Sequence, residues 1–292
     1  MRGAGPWSVA GVAAEYAPLT RVLLAPPGPA LANAAADPDA AQVLAPVDPV
    51  RAAEEHAALA DAYRAAGVEV IEMPPSTTHP NAMFCADLFA MTPEGAILAR
   101  PASAVRAGEE VAVAAALAAA RVPILGSMVG RATFEGADLM WLAPDRAVIG
   151  IGPRTNDEAA EQIEGLLANV GAVLERVDLA WGTMHLMGVC RIVDRDLAIA
   201  WPRRTPHRLV GLLQDAGYAV AAPDPALGET AINTGLNVVT LGPRRILMPG
   251  GVPAMAALYR DLGIEAVETP MHELRKAAGA VGCLTGIVGR AA

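Results

Sequence analysis

Cys283 closes a Gly/Ala-rich approach, Ala277-Ala-Gly-Ala-Val-Gly-Cys, and precedes a short apolar run. Glycines at 279 and 282 allow a tight turn and a close approach of backbone to a ligand. Taken alone, the residue reads first as an inert thiol in a C-terminal strand, because free cysteine is among the most buried residue types. Four further segments gather polar side chains: Pro80-Asn81-Ala-Met-Phe84-Cys-Ala-Asp87, Phe134-Glu135-Gly-Ala-Asp138, Met184-His185-Leu-Met187-Gly188 and Asn233-Thr-Gly-Leu-Asn237. Singly, Asp87 and Glu135 fit caps of turns, Asp138 fits an arginine partner, and His185 fits a satisfied core histidine. Together they offer a thiol, an imidazole and several carboxylates. A Cys–His pair suits nucleophilic attack on an electrophilic carbon. Carboxylates match the N–H fork of a guanidinium in pairs.

For these segments to act together, the chain must bring them to one place, and its internal repetition supplies the means. The strand-like runs beginning at Ala96, Ala147, Leu197 and Ile246 lie 51, 50 and 49 residues apart. Helical patterns follow over 107–120, 157–169, 206–216 and 252–262. Asn156 and Thr205 are placed as N-caps, and Gly171, Gly217 and Gly263 as C-terminal caps. A β-type run succeeds each glycine. The N-terminal part repeats the plan, with a strand from Arg21, a helix over 49–66 and a strand at 68–71. Further apolar strands are read at 87–91, 138–142, 188–193 and 235–241. Five units of about fifty residues must pack against their copies to bury their apolar faces, as a solenoid or as a closed ring. In a ring the polar segments, each at the start of a unit, converge on one mouth. The expected organisation is a single α/β domain over 1–292, with an N-terminal extension at 1–18 and a Pro/Ala-rich surface loop at 26–46.

Composition narrows the partners. The 292 residues are 53% apolar and 18% charged, with a net charge of −9. Such a balance counts against a phosphate-binding surface, and so against nucleic acid, and it favours a cationic small molecule. Cys85, Cys190 and Cys283 have neither metal-type nor disulfide-framework spacing, which points to a reducing cytoplasm. The stretch up to Tyr16 is a poor signal peptide, with one arginine and an apolar run broken at Gly11. No segment reaches the roughly eighteen apolar residues of a membrane span. The five histidines, His56, His79, His185, His207 and His272, show no ligand pairing with one another, so no metal is expected.

The ordered set of motifs resembles the guanidino-group-modifying enzymes of the pentein superfamily: arginine deiminase, dimethylarginine dimethylaminohydrolase and the amidinotransferases. Asn81, Phe84 and Asp87-Leu-Phe89 are similar to the arginine deiminase segment with its guanidinium-binding Asp. Glu135-Gly-Ala-Asp138 is similar to Glu-Gly-Gly-Asp, His185-Leu186 to the start of His-Leu-Asp, and the stretch from Gly279 to Thr285 to the Gly-rich nucleophile segment. The resemblance runs from about residue 20 to the end. It implies a five-bladed α/β propeller of ββαβ repeats that needs no cofactor. It implies Cys283 as nucleophile, His185 and Glu135 as the acid/base pair, and Asp87 as guanidinium ligand, with Asn81, Phe84 and Asp138 beside it. It also implies Arg106 and Arg154, nineteen residues after Asp87 and Glu135, as the grip on a substrate's α-carboxylate. The implied reaction is hydrolysis of an amidine C–N bond through a thiouronium intermediate. An amidinotransferase and a non-catalytic binding protein, resembling the ribosomal anti-association factor, are the alternatives. Met187 stands where arginine deiminases carry a second Asp, which favours a substituted guanidine over free arginine. Self-association into a homo-oligomer is left open.

Overall fold

The computed structural model describes residues 11–291. The first ten residues of the expected N-terminal extension lie outside that range. Five three-stranded sheets form the blades of an α/β propeller. In chain order the strands are β1 (Leu19–Leu24), β2 (Glu69–Glu72), β3 (Phe89–Thr92), β4 (Gly95–Leu98), β5 (Ile124–Ser127), β6 (Leu139–Ala143), β7 (Arg146–Ile151) and β8 (Val173–Asp178). They continue with β9 (Cys190–Ile192), β10 (Leu197–Ala200), β11 (Ala219–Ala221), β12 (Val239–Gly242), β13 (Arg245–Pro249), β14 (Glu265–Thr269) and β15 (Gly286–Arg290). Four blades take consecutive strands, and the remaining one is ordered β15-β1-β2.

Within each blade an inner strand runs antiparallel to the middle strand, and the middle strand is parallel to the outer one. Parallel neighbours require a crossover, and the helices provide it: α2 (Pro49–Ala65), α3 (Glu109–Ala119), α4 (Asp157–Asn169), α5 (His207–Asp215) and α7 (Pro253–Asp261). In α4 the Asn156 side chain accepts from the Ala159 N–H, Ala159, Ala160, Ile163 and Leu167 are buried on one face, and Gly171 follows at φ 76°. That is the cap, stripe and stop the sequence predicts.

The ring closes where the last strand meets the first. β15 pairs with β1, and the Arg290 guanidinium donates to the Ala17 and Thr240 carbonyls at 2.7 and 2.8 Å. Phe89, Ala90, Met91, Leu139, Trp141, Arg191, Val239 and Ile287, drawn from all five inner strands, surround one axial cavity, with Val12 and Glu15 of the N-terminal segment also in its wall. No described helix is long and apolar enough to cross a membrane.

Three local expectations change. The 26–46 segment is not a plain surface loop: it holds α1 (Pro29–Asn33), and Leu31, Ala41 and Val43 pack with Tyr63 and Leu274 in a core cluster. The Thr205 hydroxyl donates to the Val189 carbonyl and caps nothing, because α5 begins at His207 after Pro206. Residues 235 and 236 belong to α6 (Glu229–Leu236), where Gly235 admits the Met255 side chain.

Candidate active site

Immediately before three of the inner strands the chain makes one turn of 3-10 helix, at Cys85–Asp87, Gly136–Asp138 and Leu186–Gly188. Before β15 the equivalent turn is α8 (Val281–Leu284), and before β12 it is the end of α6. These turns stand at one end of the ring, so residues far apart in sequence meet there. Asp87, Glu135 and His185 each present an atom within 4.8 Å of the others.

Glu135 is fully buried, and its Oε2 lies 2.7 Å from His185 Nε2. Burial opposes its charge, but the hydrogen bond and positive charge of His185, with Arg106 and Arg154, outweigh that and hold its pKa below the ordinary value. Burial likewise opposes the imidazolium. Asp87, Glu135 and Asp138 reverse the effect and raise His185 to about 9, so a proton resides on the imidazole at neutral pH. Asp87 accepts from Arg106 through Oδ2 at 2.6 Å, while its buried Oδ1 has no hydrogen-bond partner.

Cys283 sits in α8, half-buried. Asn237 clamps it: its Nδ2 donates to Sγ at 3.1 Å and its Oδ1 accepts from the Cys283 N–H at 3.2 Å. Cys283, His185, Met187, Asn237 and Arg191 face one cleft of about 480 Å³. The other two thiols are sealed in the core, where burial pushes Cys85 and Cys190 up to about 12.

Several expected ligands are placed otherwise. Arg106, expected to grip a substrate carboxylate, is 5% exposed, and its guanidinium is spent on Asp87, Glu109 Oε2 at 2.9 Å and the Phe84 carbonyl at 3.3 Å. It also lies 3.8 Å from Glu135 Oε2. Asp138 turns into the protein, taking the Thr155 hydroxyl at 2.6 Å and the Leu186 N–H at 2.9 Å. Phe84 packs its ring on Gly279. Asn81 donates to the Ala41 carbonyl at 2.8 Å and keeps a buried, unpartnered Oδ1. Of the two expected arginines only Arg154 reaches a rim position, 3.5 Å from Glu135 Oε1 and beside Met184.

Asp138 therefore positions His185 through the peptide that follows it. In Asp138→Asn an amide N–H faces the Thr155 hydroxyl, which already accepts from the Glu135 N–H. The expected result is a loss of about 1–3 kcal/mol of stability. A fall in kcat with little change in KM accompanies it, both read from thermal unfolding and steady-state kinetics.

Glu109 and Arg191 were not among the expected functional residues, and Asn237 was expected only as part of a converging polar segment with no role of its own. Glu109 falls three residues after Arg106, a helix-start spacing that signals an ion pair. Burial raises it to about 7 against the pull of Arg106. Arg191 is the one charged residue in the apolar run 188–193. Asp87, Glu135 and His185 also form a cluster of metal-type donors, in which Asp87 Oδ2 is taken by Arg106 and His185 Nε2 by Glu135.

The family described as arginine deiminase matches residues 54–205. An N(G),N(G)-dimethylarginine dimethylaminohydrolase of Streptomyces coelicolor is 28% identical over 243 residues, covering 82% of this chain and 86% of the relative. Among solved structures, a mutant of the dimethylarginine dimethylaminohydrolase from Pseudomonas aeruginosa, complexed with citrulline, superposes with a TM-score of 0.76 at 22% identity, covering 92% of this chain and 98% of the other. An amidinotransferase of saxitoxin biosynthesis from Microseira wollei gives 0.80 at 16% identity, covering 97% and 98%. Likeness at these identities carries the fold.

Proposed function

The chain belongs to the arginine deiminase family, and from that premise we propose that it hydrolyses the guanidino C–N bond of a substituted, arginine-like substrate through a covalent adduct on Cys283. The observation that carries the reading is the convergence on one cleft of a half-buried thiol with a protonated imidazole held by Glu135. Beside them Asp87 keeps one oxygen free to accept from a guanidinium N–H.

Cys283 Sγ, as thiolate, adds to the central carbon and forms a C–S bond. The tetrahedral adduct collapses by breaking one C–N bond, and His185 supplies the proton that lets the nitrogen leave as ammonia or an amine. The resulting thiouronium carbon is then attacked by water, whose proton returns to the now neutral His185. Breakage of the C–S bond frees the thiolate and a ureido product. Glu135 keeps the imidazole oriented and balances its charge in both halves.

Specificity follows from what surrounds the carbon. Met187 lies in the cleft wall with Cys283, and an apolar thioether favours an alkylated nitrogen over a bare one. Arg154, beside Met184 of the cleft wall, is a cation placed for a substrate carboxylate, and Arg204 is a second one in that wall. The cleft's volume suits a ligand of arginine size. The three free cysteines suit a reducing cytoplasm.

A panel of arginine, methylated arginines, agmatine and simpler guanidines, assayed for ureido product and released amine, tests this. A methylated arginine is expected to exceed arginine in kcat/KM by about tenfold or more, equal to roughly 1.4 kcal/mol. Preference for arginine would remove the role given to Met187. A new guanidine formed only when an amine is added would reassign the second half-reaction to an amidinotransferase. Failure of every guanidine to react would remove the activity.

A further inference from the structure

Arg191 is a charged side chain of the cleft that neither the repeats nor the reaction above accounts for. It projects from β9, donates from Nε to the Leu236 carbonyl at 3.0 Å, and forms no ion pair among the described residues. With Ala86, Met187 and Gly282 it borders both the open cleft and the axial cavity, and so stands in the partition between them. Its guanidinium lies over Gly282: a Cβ built there would be 2.5 Å from Arg191 Nη2 and 2.9 Å from Asn237 Oδ1. Only glycine leaves room for that cation beside the residue that precedes the nucleophile.

The charges around Cys283 are unequal without it. Burial and the Asp87 carboxylate both raise the thiol's pKa, while the Asn237 amide, the backbone at Ala280 and Arg191 lower it. His185 faces the same cleft from the opposite turn. Arg191 is itself faced by Glu15 across the axial cavity and by Tyr259 and Cys190. The half-buried guanidinium stays charged across the working pH range, whereas a substrate's cation arrives only on binding.

Resting on Cys283 as the nucleophile, we propose that Arg191 is the resident counter-charge of the Cys283 thiolate, a positioning residue held in place by the absence of a side chain at Gly282. It acts through Cys283 and needs no contact with the substrate. Glu15, on the far side, moderates it: the carboxylate accepts from the Trp141 N–H at 3.0 Å and draws part of the guanidinium's field away from the sulfur.

The test is the pH dependence of Cys283 alkylation by iodoacetamide in the full-length protein, followed on the Cys283 peptide by mass spectrometry. This neutral reagent reads the thiolate fraction. Arg191→Met is expected to slow alkylation about tenfold on the acidic limb, which corresponds to one unit of thiol pKa. Arg191→Lys should recover most of the rate. Glu15→Gln should shift the profile the opposite way, and Gly282→Ala, which displaces the guanidinium, should follow Arg191→Met. Should Arg191→Met fail to fold, the opposite shifts of Glu15→Gln and Gly282→Ala decide the matter. Profiles of the folded variants that superpose on the wild type would overturn the proposal. 2-Chloroacetamidine separates the two readings: if it labels Cys283 in the wild type while the profiles superpose, the nucleophile stands and only the role of Arg191 falls. If it fails to label Cys283, the reading of the site itself fails.

Discussion

Cys283→Ser is expected to lose turnover by a factor on the order of 10⁴ or more, the scale seen when a covalent nucleophile is removed from an otherwise intact site. The fold should survive. A serine keeps an acceptor and a short side chain between the two Asn237 contacts, and a replacement of this kind at a half-buried position costs little, about 1 kcal/mol or less. Substrate binding should persist, because Asp87, Arg154 and the His185–Glu135 pair are untouched. Circular dichroism, thermal unfolding and single-turnover kinetics separate loss of chemistry from loss of structure. Turnover within tenfold of the wild type would exclude the thiol as nucleophile. Cys85 and Cys190, buried and raised to about 12, should remain unmodified by thiol reagents in the native protein.

The second large effect is on stability. Arg106→Leu removes the cation that Asp87, Glu109 and Glu135 share in the protein interior. Breaking a buried ion network from one side costs about 3–5 kcal/mol, because the partner charges stay desolvated. Across a domain of this size such a loss lowers Tm by roughly 10 °C. The carboxylates would then take up protons, and Glu109, already raised to about 7 by burial despite Arg106, would do so most readily. That carboxyl binds protons more tightly folded than unfolded, so its contribution favours the folded state below its ordinary pKa and is lost as pH rises toward 7. Removal of Arg106 moves the point of loss upward, and the Tm deficit should be smaller in mildly acidic buffer than at pH 8. Arg154→Leu, at the rim, should change Tm far less and act on KM for substrates bearing a carboxylate. An Arg106→Leu protein with unchanged Tm and a raised KM would restore the expected grip of Arg106 on a substrate carboxylate.

That contrast shows where the sequence is legible. The ring could be read because its punctuation is local: Gly171, Gly217 and Gly263 mark helix ends, and even spacing follows from one plan repeated. Convergence of Asp87, Glu135, His185 and Cys283 followed from their equivalent places in the repeats. The direction in which a side chain faces is not local information. Asp138 has the same spacing whether it points to a ligand or to the Leu186 N–H, and Arg106 looks like a surface arginine until the turn at Cys85–Asp87 is packed against it. The 26–46 segment misled for a related reason: its Pro/Ala content signals a loop, while burial of Leu31 and Val43 depends on the distant 3-10 turn Leu274–Ala277 and on α2. Arg191 was hidden because its partner, the empty space above Gly282, exists only in three dimensions.

The covalent adduct is the most direct measurement of the central claim. Protein mixed with a saturating methylated arginine, quenched in acid during turnover and analysed by intact mass and peptide mapping, should carry on the Cys283 peptide one alkylthiouronium group, the mass of the substrate less the amine that has left. The adduct should be absent in Cys283→Ser and should decay as ureido product appears. Product formation with no mass increment on Cys283 in the quenched wild type, under conditions where the second half-reaction is slowed, would contradict the account.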